Sequence, residues 1–246
     1  MDLVSVIIPY YKKRKFILET LDSVVNQSYK NLEIIIIYDD VNKTDIEFLR
    51  KITKKDNRIK ILENSETMGA GISRNIGILE SKGKYIAFLD ADDTWHLDKL
   101  KKQISFMEKY NYFISHTSYS IINENKNIIG KRIANNFFKL HELLKSCDIG
   151  TSTVVLNKKL INQNVKFASL STKEDFVLWL RILKNNISIY GLNEDLASWT
   201  KSKNSLSSST FQKIKDGFKV YHTYMNFGFI KSIYYLICLS INFLKK

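Results

Sequence analysis

The chain has 246 residues, 44% of them hydrophobic, enough for one sizeable core or one core with a small appendage. One Pro and nine Gly leave no linker-like stretch, and Cys147 and Cys238 stand far apart in no metal-ligand spacing, which argues for a reducing compartment and against a disulfide scaffold. The formal charge of +13 admits nucleic acid, anionic lipid or phosphorylated ligands, but the lysines are dispersed and no basic stripe interleaves with aromatics, so no nucleic-acid partner is expected.

No basic, apolar leader opens the chain, which argues against secretion and for a cytoplasmic protein. Leu3 to Pro9 is a β-branched run without alternation, as a strand covered on both faces requires. Apolar residues at Phe16, Ile17, Leu21, Val24 and Val25 predict a helix over 13–26. A second buried strand spans Leu32–Tyr38 and ends at Asp39-Asp40. A helix over 44–54, a short strand over 58–62 and a helix over 69–81 follow. Tyr85 to Leu89 is a fourth strand, ending at Asp90. This β-α-β-α order predicts an α/β fold with a mostly parallel sheet and right-handed crossovers. Ligands of such sheets sit at the carboxyl ends of the strands. Pro9-Tyr10-Tyr11, Asp39-Asp40 and Asp90-Ala91-Asp92-Asp93 all lie at such ends.

The second half is less regular, with strands expected over 112–122 and 151–156 and helices over 95–109, 140–145 and 174–184. Residues 1–207 are expected to form one domain, followed by a helical, basic and aromatic tail over 208–246. The apolar run Phe229 to Leu244 is shorter than the ~20 residues of a membrane span and is interrupted by Lys231. It fits an interfacial helix in peripheral contact with a membrane, or a helix packed on the domain or on a partner chain.

Three segments could carry chemistry. The carboxylates of Asp90, Asp92 and Asp93 repel one another unless a cation sits among them, and Mg²⁺ or Mn²⁺ commonly joins carboxylates to phosphates; equally, Asp93 or Thr94 could cap the helix that follows. Gly69-Ala70-Gly71 at a helix start could present amides to a phosphate, with Arg74 near, or form a plain turn. Glu174-Asp175 opens an apolar helix, where acids suit the dipole; one of them could also serve as a general base. His96, His116, His141 and His222 form no metal-ligand spacing.

Five segments in order resemble the family 2 glycosyltransferases of bacterial polysaccharide biosynthesis, which have the GT-A fold. They are Val4-Ser5-Val6-Ile7-Ile8-Pro9-Tyr10-Tyr11, Leu32 to Asp40, Gly71-Ile72-Ser73-Arg74-Asn75, Gly83 to Asp93 with Trp95, Leu97, Lys99 and Leu100, and Glu174 to Arg181. The resemblance covers roughly residues 3–207. It implies an inverting transferase that moves a sugar from a nucleotide-sugar, by expectation a UDP-sugar, to a saccharide or lipid-linked oligosaccharide acceptor, on the inner face of the cytoplasmic membrane. Tyr11 would stack on the base, with Pro9 beside it, and Asp39 or Asp40 would bond the base edge. Arg74 would hold the nucleotide. Asp90, with Ala91, would meet the ribose or donor sugar. Asp92 would bind Mn²⁺ or Mg²⁺, and Asp175 would be the catalytic base. Three departures stand out: Lys12 replaces an Asn, Val41-Asn42-Lys43 lacks a Gly, and Ser202 stands where a His is common. They motivate an alternative, a non-catalytic nucleotide-sugar-binding or scaffold subunit.

Overall fold

The computed structural model describes residues 1–162, 164–202 and 210–244. In chain order the elements are β1 (Val4–Tyr10), α1 (Ile17–Val25), β2 (Leu32–Tyr38), α2 (Ile46–Thr53), β3 (Ile59–Glu63), α3 (Ala70–Glu80), β4 (Tyr85–Phe88), β5 (Thr94–Trp95) and α4 (Lys99–Tyr110). Then follow β6 (Ile114–Asn123), β7 (Ile128–Arg132), α5 (Leu140–Leu143), β8 (Val155–Asn157), α6 (Glu174–Lys184), β9 (Tyr190–Lys201), α7 (Thr210–Lys219) and α8 (Phe229–Leu244).

One sheet runs β3-β2-β1-β4-β8-β6-β9-β5, with β7 on the outside of β6. Its first four strands are all parallel, as the β-α-β-α order requires. β8 then runs antiparallel to both β4 and β6, and β9 lies parallel to β6. The central strands are apolar throughout because both faces are covered. Val6 and Ile8 of β1 join Ile34 and Ile36 in one core cluster, while Ile7 joins Ile35, Ile37 and Trp179 in the other. The two-residue period of a strand divides these side chains between layers.

Two expectations are corrected. The helix expected over 95–109 begins at Lys99, and Trp95 belongs to β5, paired with Ala197. Asp93 and Thr94 therefore cap nothing. The Trp95 indole is buried, and its Nε1 donates to the Ser152 carbonyl at 2.7 Å, which holds it away from a helical path. The strand expected over 151–156 is instead a 3₁₀ turn, Thr151–Thr153, followed by β8. β9 was not expected from the sequence, because Asn193, Glu194 and Asp195 break its apolar pattern where the β6–β9 register shifts.

The tail is helical, and its inner face closes the core. Val220, Tyr221, Met225 and Leu239 belong to the same cluster as Trp179, and the Tyr221 hydroxyl donates to the Leu144 carbonyl at 2.7 Å. Gly217 lets α7 cross α8: a Cβ there would stand 2.8 Å from a Leu236 methyl. The expected domain boundary at 207 falls within 203–209, outside the described residues.

Candidate active site

The site is built where β1, β2 and β4 end. Pro9 sits in a central strand without breaking a ladder bond, because β4 pairs with β1 no further than Ile7↔Phe88. Tyr11 follows, half-buried. Behind it Tyr10 and Tyr38 stack at 5.5 Å, and both hydroxyls engage Asp45: Tyr10 donates to its carboxylate at 2.7 Å, and Tyr38 accepts from its amide at 3.0 Å.

The two acids after β2 differ in what is left to them. Asp39 is spent on the chain: Oδ1 accepts from the Met68 amide at 2.8 Å and from Asn64 Nδ2 at 2.7 Å, and Oδ2 accepts from the Gly69 amide at 2.8 Å. The Met68 and Gly69 amides are therefore taken by a carboxylate and are not open to a phosphate. Gly69 is needed here, since its φ is +85°. Asp40 is 2% exposed; its Oδ1 accepts from the Asn42 amide at 3.2 Å, and its buried Oδ2 has no partner. An orphaned buried carboxylate oxygen is costly unless a ligand satisfies it.

After β4 the chain presents Asp90, Ala91, Asp92 and Asp93. Asp92 Oδ2 accepts from the Lys13 ammonium at 2.5 Å. Burial raises the Asp92 carboxyl above the usual range, against the pull of Lys13. Ala91 is buried, and its carbonyl takes the Thr20 hydroxyl at 3.1 Å. Asp93 is enclosed: Ser152 Oγ donates to Oδ2 at 2.5 Å and the Thr200 amide to Oδ1 at 2.9 Å. Burial, then Asp90 and Asp92, push its carboxyl well up. The same Ser152 oxygen accepts from the Asp90 amide at 3.1 Å, so the 3₁₀ turn shapes the acidic loop.

Arg74 joins this loop to α6. It is 3% exposed; Nη2 donates to Asp90 at 2.5 Å and Nη1 to Glu174 at 2.7 Å, while Nε has no partner. Gly71 permits the approach of α3 to α6, since a Cβ there would stand 2.6 Å from the Ala168 carbonyl and 2.9 Å from Glu174 Cγ. Asn75 clamps the segment before α6 through both backbone groups of Phe167, each at 3.0 Å. Burial, followed by Asp175, pushes the Glu174 carboxyl up to about 7, opposed by Arg74. Next to it, Asp175 Oδ2 accepts from the Thr151 hydroxyl and Oδ1 from the Phe176 amide, both at 2.7 Å.

No sequence motif pointed to Lys13, Thr151 or Ser152 in these roles, and Glu174 was visible as one of an acid pair but not as the partner of Arg74. Thr151 and Ser152 carry no motif of their own and act only through contacts across the fold. Ser202 Oγ, at the position where the resemblance leads one to expect a His, has no partner.

The family implies a divalent cation. Among the described residues no group of three or more His, Cys, Asp or Glu could hold one on protein ligands alone. Asp92 nonetheless fits the mode in which one carboxylate and the substrate phosphates share a Mg²⁺ or Mn²⁺, because its oxygen already requires a cation and takes the Lys13 ammonium. Asp93 is not available for that purpose, as both its oxygens are bonded.

Comparison with known proteins identifies the family and the fold. Residues 5–165 match the family model of Glycosyl transferase family 2. The Escherichia coli UDP-Glc:alpha-D-GlcNAc-diphosphoundecaprenol beta-1,3-glucosyltransferase WfgD is 37% identical over 245 residues, 99% of this chain and 94% of that protein. S. aureus TarS, crystallised with UDP-GlcNAc, superposes with a TM-score of 0.73 at 20% identity, over 91% of this chain and 65% of that one. The mannosyltransferase PcManGT of Pyrobaculum calidifontis, solved with GDP-Man and Mn²⁺, has a TM-score of 0.69 at 14% identity, over 92% and 65% of the two chains. The last two likenesses speak to the fold, which is that of the GT-A glycosyltransferases. On the family match and the full-length likeness to WfgD, the chain belongs to glycosyltransferase family 2.

Proposed function

We propose that this glycosyltransferase is inverting, takes a UDP-sugar as donor and a hydroxyl of a lipid-linked saccharide as acceptor, and serves surface-polysaccharide assembly at the inner face of the cytoplasmic membrane. The observation that carries the reading is the double ion pair of Arg74, which ties the acid at the end of β4 to the helix bearing Asp175 and so supports one continuous site. The reaction for which WfgD is named supports the choice of a UDP-sugar and a diphosphoundecaprenol-linked acceptor. UDP-glucose is α-linked and that product is β-linked, as a single displacement requires.

The residues divide the work. The unpartnered Asp40 oxygen would accept from uracil N3–H, a donor that cytosine lacks at that position, with Tyr11 stacked on the ring. Asp90, oriented by Arg74, would take a hydroxyl of the ribose or donor sugar. Asp92 would hold Mn²⁺ or Mg²⁺, which supplies Lewis-acid stabilisation of charge on the departing diphosphate. Asp175 would take the acceptor hydroxyl proton as the oxygen attacks the anomeric carbon; the bond to the β-phosphate oxygen breaks and its electron pair leaves with UDP. The Thr151 hydroxyl would hold Asp175 in line for that transfer.

The test is UDP release from a panel of UDP-sugars, with Mn²⁺ and a GlcNAc-diphosphate-lipid acceptor. Asp175→Asn is expected to lower kcat by ~10²- to 10⁴-fold with UDP affinity unchanged. Full activity in that variant, or no turnover with any UDP-sugar, would sink the reading.

A further inference from the structure

The outer face of α8 is unpartnered and apolar. Ser232, Tyr235, Leu236 and Leu239 turn inward against the core, and Asn242 Nδ2 donates to the Lys145 carbonyl at 2.9 Å. On the opposite side Ile230 is 84% exposed, Ile237 52%, Tyr234 50%, Ile241 47% and Ile233 37%. Their spacing of three and four residues makes a continuous stripe. At 1.5 Å per residue it runs roughly 17 Å from Ile230 to Ile241. Among the described residues no helix is long and apolar enough to cross a membrane, so a stripe of this kind lies on a surface rather than through one.

Charge identifies the surface. No Asp or Glu follows Asp216, whereas Lys219, Lys231, Lys245 and Lys246 do. Beside α8 runs a groove whose lining includes Phe138, Lys139, His141, Lys184, Lys231 and Tyr235 and contains no acid. A second copy of the chain would bring the same cations face to face in a two-fold interface, an arrangement that repels. An anionic bilayer meets both demands at once, with acyl chains for the isoleucines and headgroups for the lysines and Tyr234.

We propose that the outer face of α8 and the basic groove beside it dock the protein on an anionic phospholipid surface. None of the residues of this face is among those assigned to the donor site, so the test can fail without touching the reaction proposed above, whose membrane location alone shares its outcome.

The experiment is co-sedimentation of the full chain with vesicles of phosphatidylglycerol and phosphatidylcholine, against vesicles of phosphatidylcholine alone. Binding to the mixed vesicles is expected to exceed binding to the neutral ones by at least ~10-fold and to weaken with salt. Ile230→Glu combined with Ile237→Glu is expected to lower it by ~10-fold or more, with an unchanged circular dichroism spectrum and melting temperature, since both positions face solvent. Lys139→Gln with Lys184→Gln is expected to weaken the preference for phosphatidylglycerol while retaining the residual neutral binding. Undiminished binding by the double Glu variant would overturn the proposal. So would a solution dimer, seen by analytical ultracentrifugation, that this variant dissociates.

Discussion

The two halves of the sheet reach the site by different means. In the parallel half, β1 and β2 pair over seven consecutive residues in unbroken register, and the acids follow within a few residues of the strands β2 and β4 that deliver them. In the mixed half, β6 and β9 slip register twice between Thr117 and Tyr119, and the groups that shape the site are a turn hydroxyl, a backbone amide and the first residues of a helix. The parallel half thus offers acids with spare capacity, the orphaned oxygen of Asp40 and the cation-seeking oxygen of Asp92. The mixed half supplies the framework that holds them, with Ser152 and Thr200 closing around Asp93. On the proposed reading, recognition of the nucleotide and support of the loop are divided between the halves, and Arg74 is the ion-paired link between them at the site itself.

The largest way to break this division is to cut that link. Arg74→Met leaves Asp90 and Glu174 without their shared cation, and the Glu174 side chain is only 12% exposed. The expected loss is roughly 3–5 kcal/mol of stability by urea unfolding. A loss below about 1 kcal/mol would mean that the halves are held together elsewhere.

Acid separates the halves next. His116 on β6 is 1% exposed, and burial pushes its imidazole down to about 4, with Nε2 2.8 Å from the Asn135 carbonyl. Its folded value lies below the usual one, so its contribution is complete above about pH 6.5 and is lost as the pH falls toward 4. The loss is expected to reach roughly 3 kcal/mol, and His116→Asn is expected to flatten that part of the stability–pH curve. An identical curve for the variant would contradict the assignment.

The smallest of the expected effects concerns the parallel half alone. Lys13 stands at the Asp92 oxygen that a divalent cation would take. Lys13→Met is expected to tighten Mn²⁺ binding to the nucleotide-free protein by roughly fivefold, read by electron paramagnetic resonance. Weaker binding would show that the ammonium assists the metal rather than competes with it.

This contrast also governs what the sequence discloses. β2 and α6 have the ends that periodicity and composition predict, Leu32–Tyr38 and Glu174–Lys184, because each is a mostly apolar run with acids at its boundary. The departures from the family pattern are legible after the fact. Lys12 and Lys43 have φ of 50° and 51°, the left-handed region that Asn and Gly adopt at lower cost. β5 and β9 were hidden because two residues make no period and because Asn193-Glu194-Asp195 reads as a loop. The choice between Asp39 and Asp40 was also closed to the sequence, since it depends on amides nearly thirty positions away. Arg74 was visible as a motif residue, but its partner Glu174 lies 100 positions further on.

The central claim is that Asp92 and Asp40 belong to one metal-dependent donor site. Calorimetric titration of UDP, with and without Mn²⁺, into the wild type, Asp92→Asn and Asp40→Asn tests it most directly. The account predicts metal-dependent binding in the wild type, loss of the metal dependence in Asp92→Asn and weakening by at least ~10-fold in Asp40→Asn. Equal UDP affinity in all three proteins, with or without metal, would contradict it.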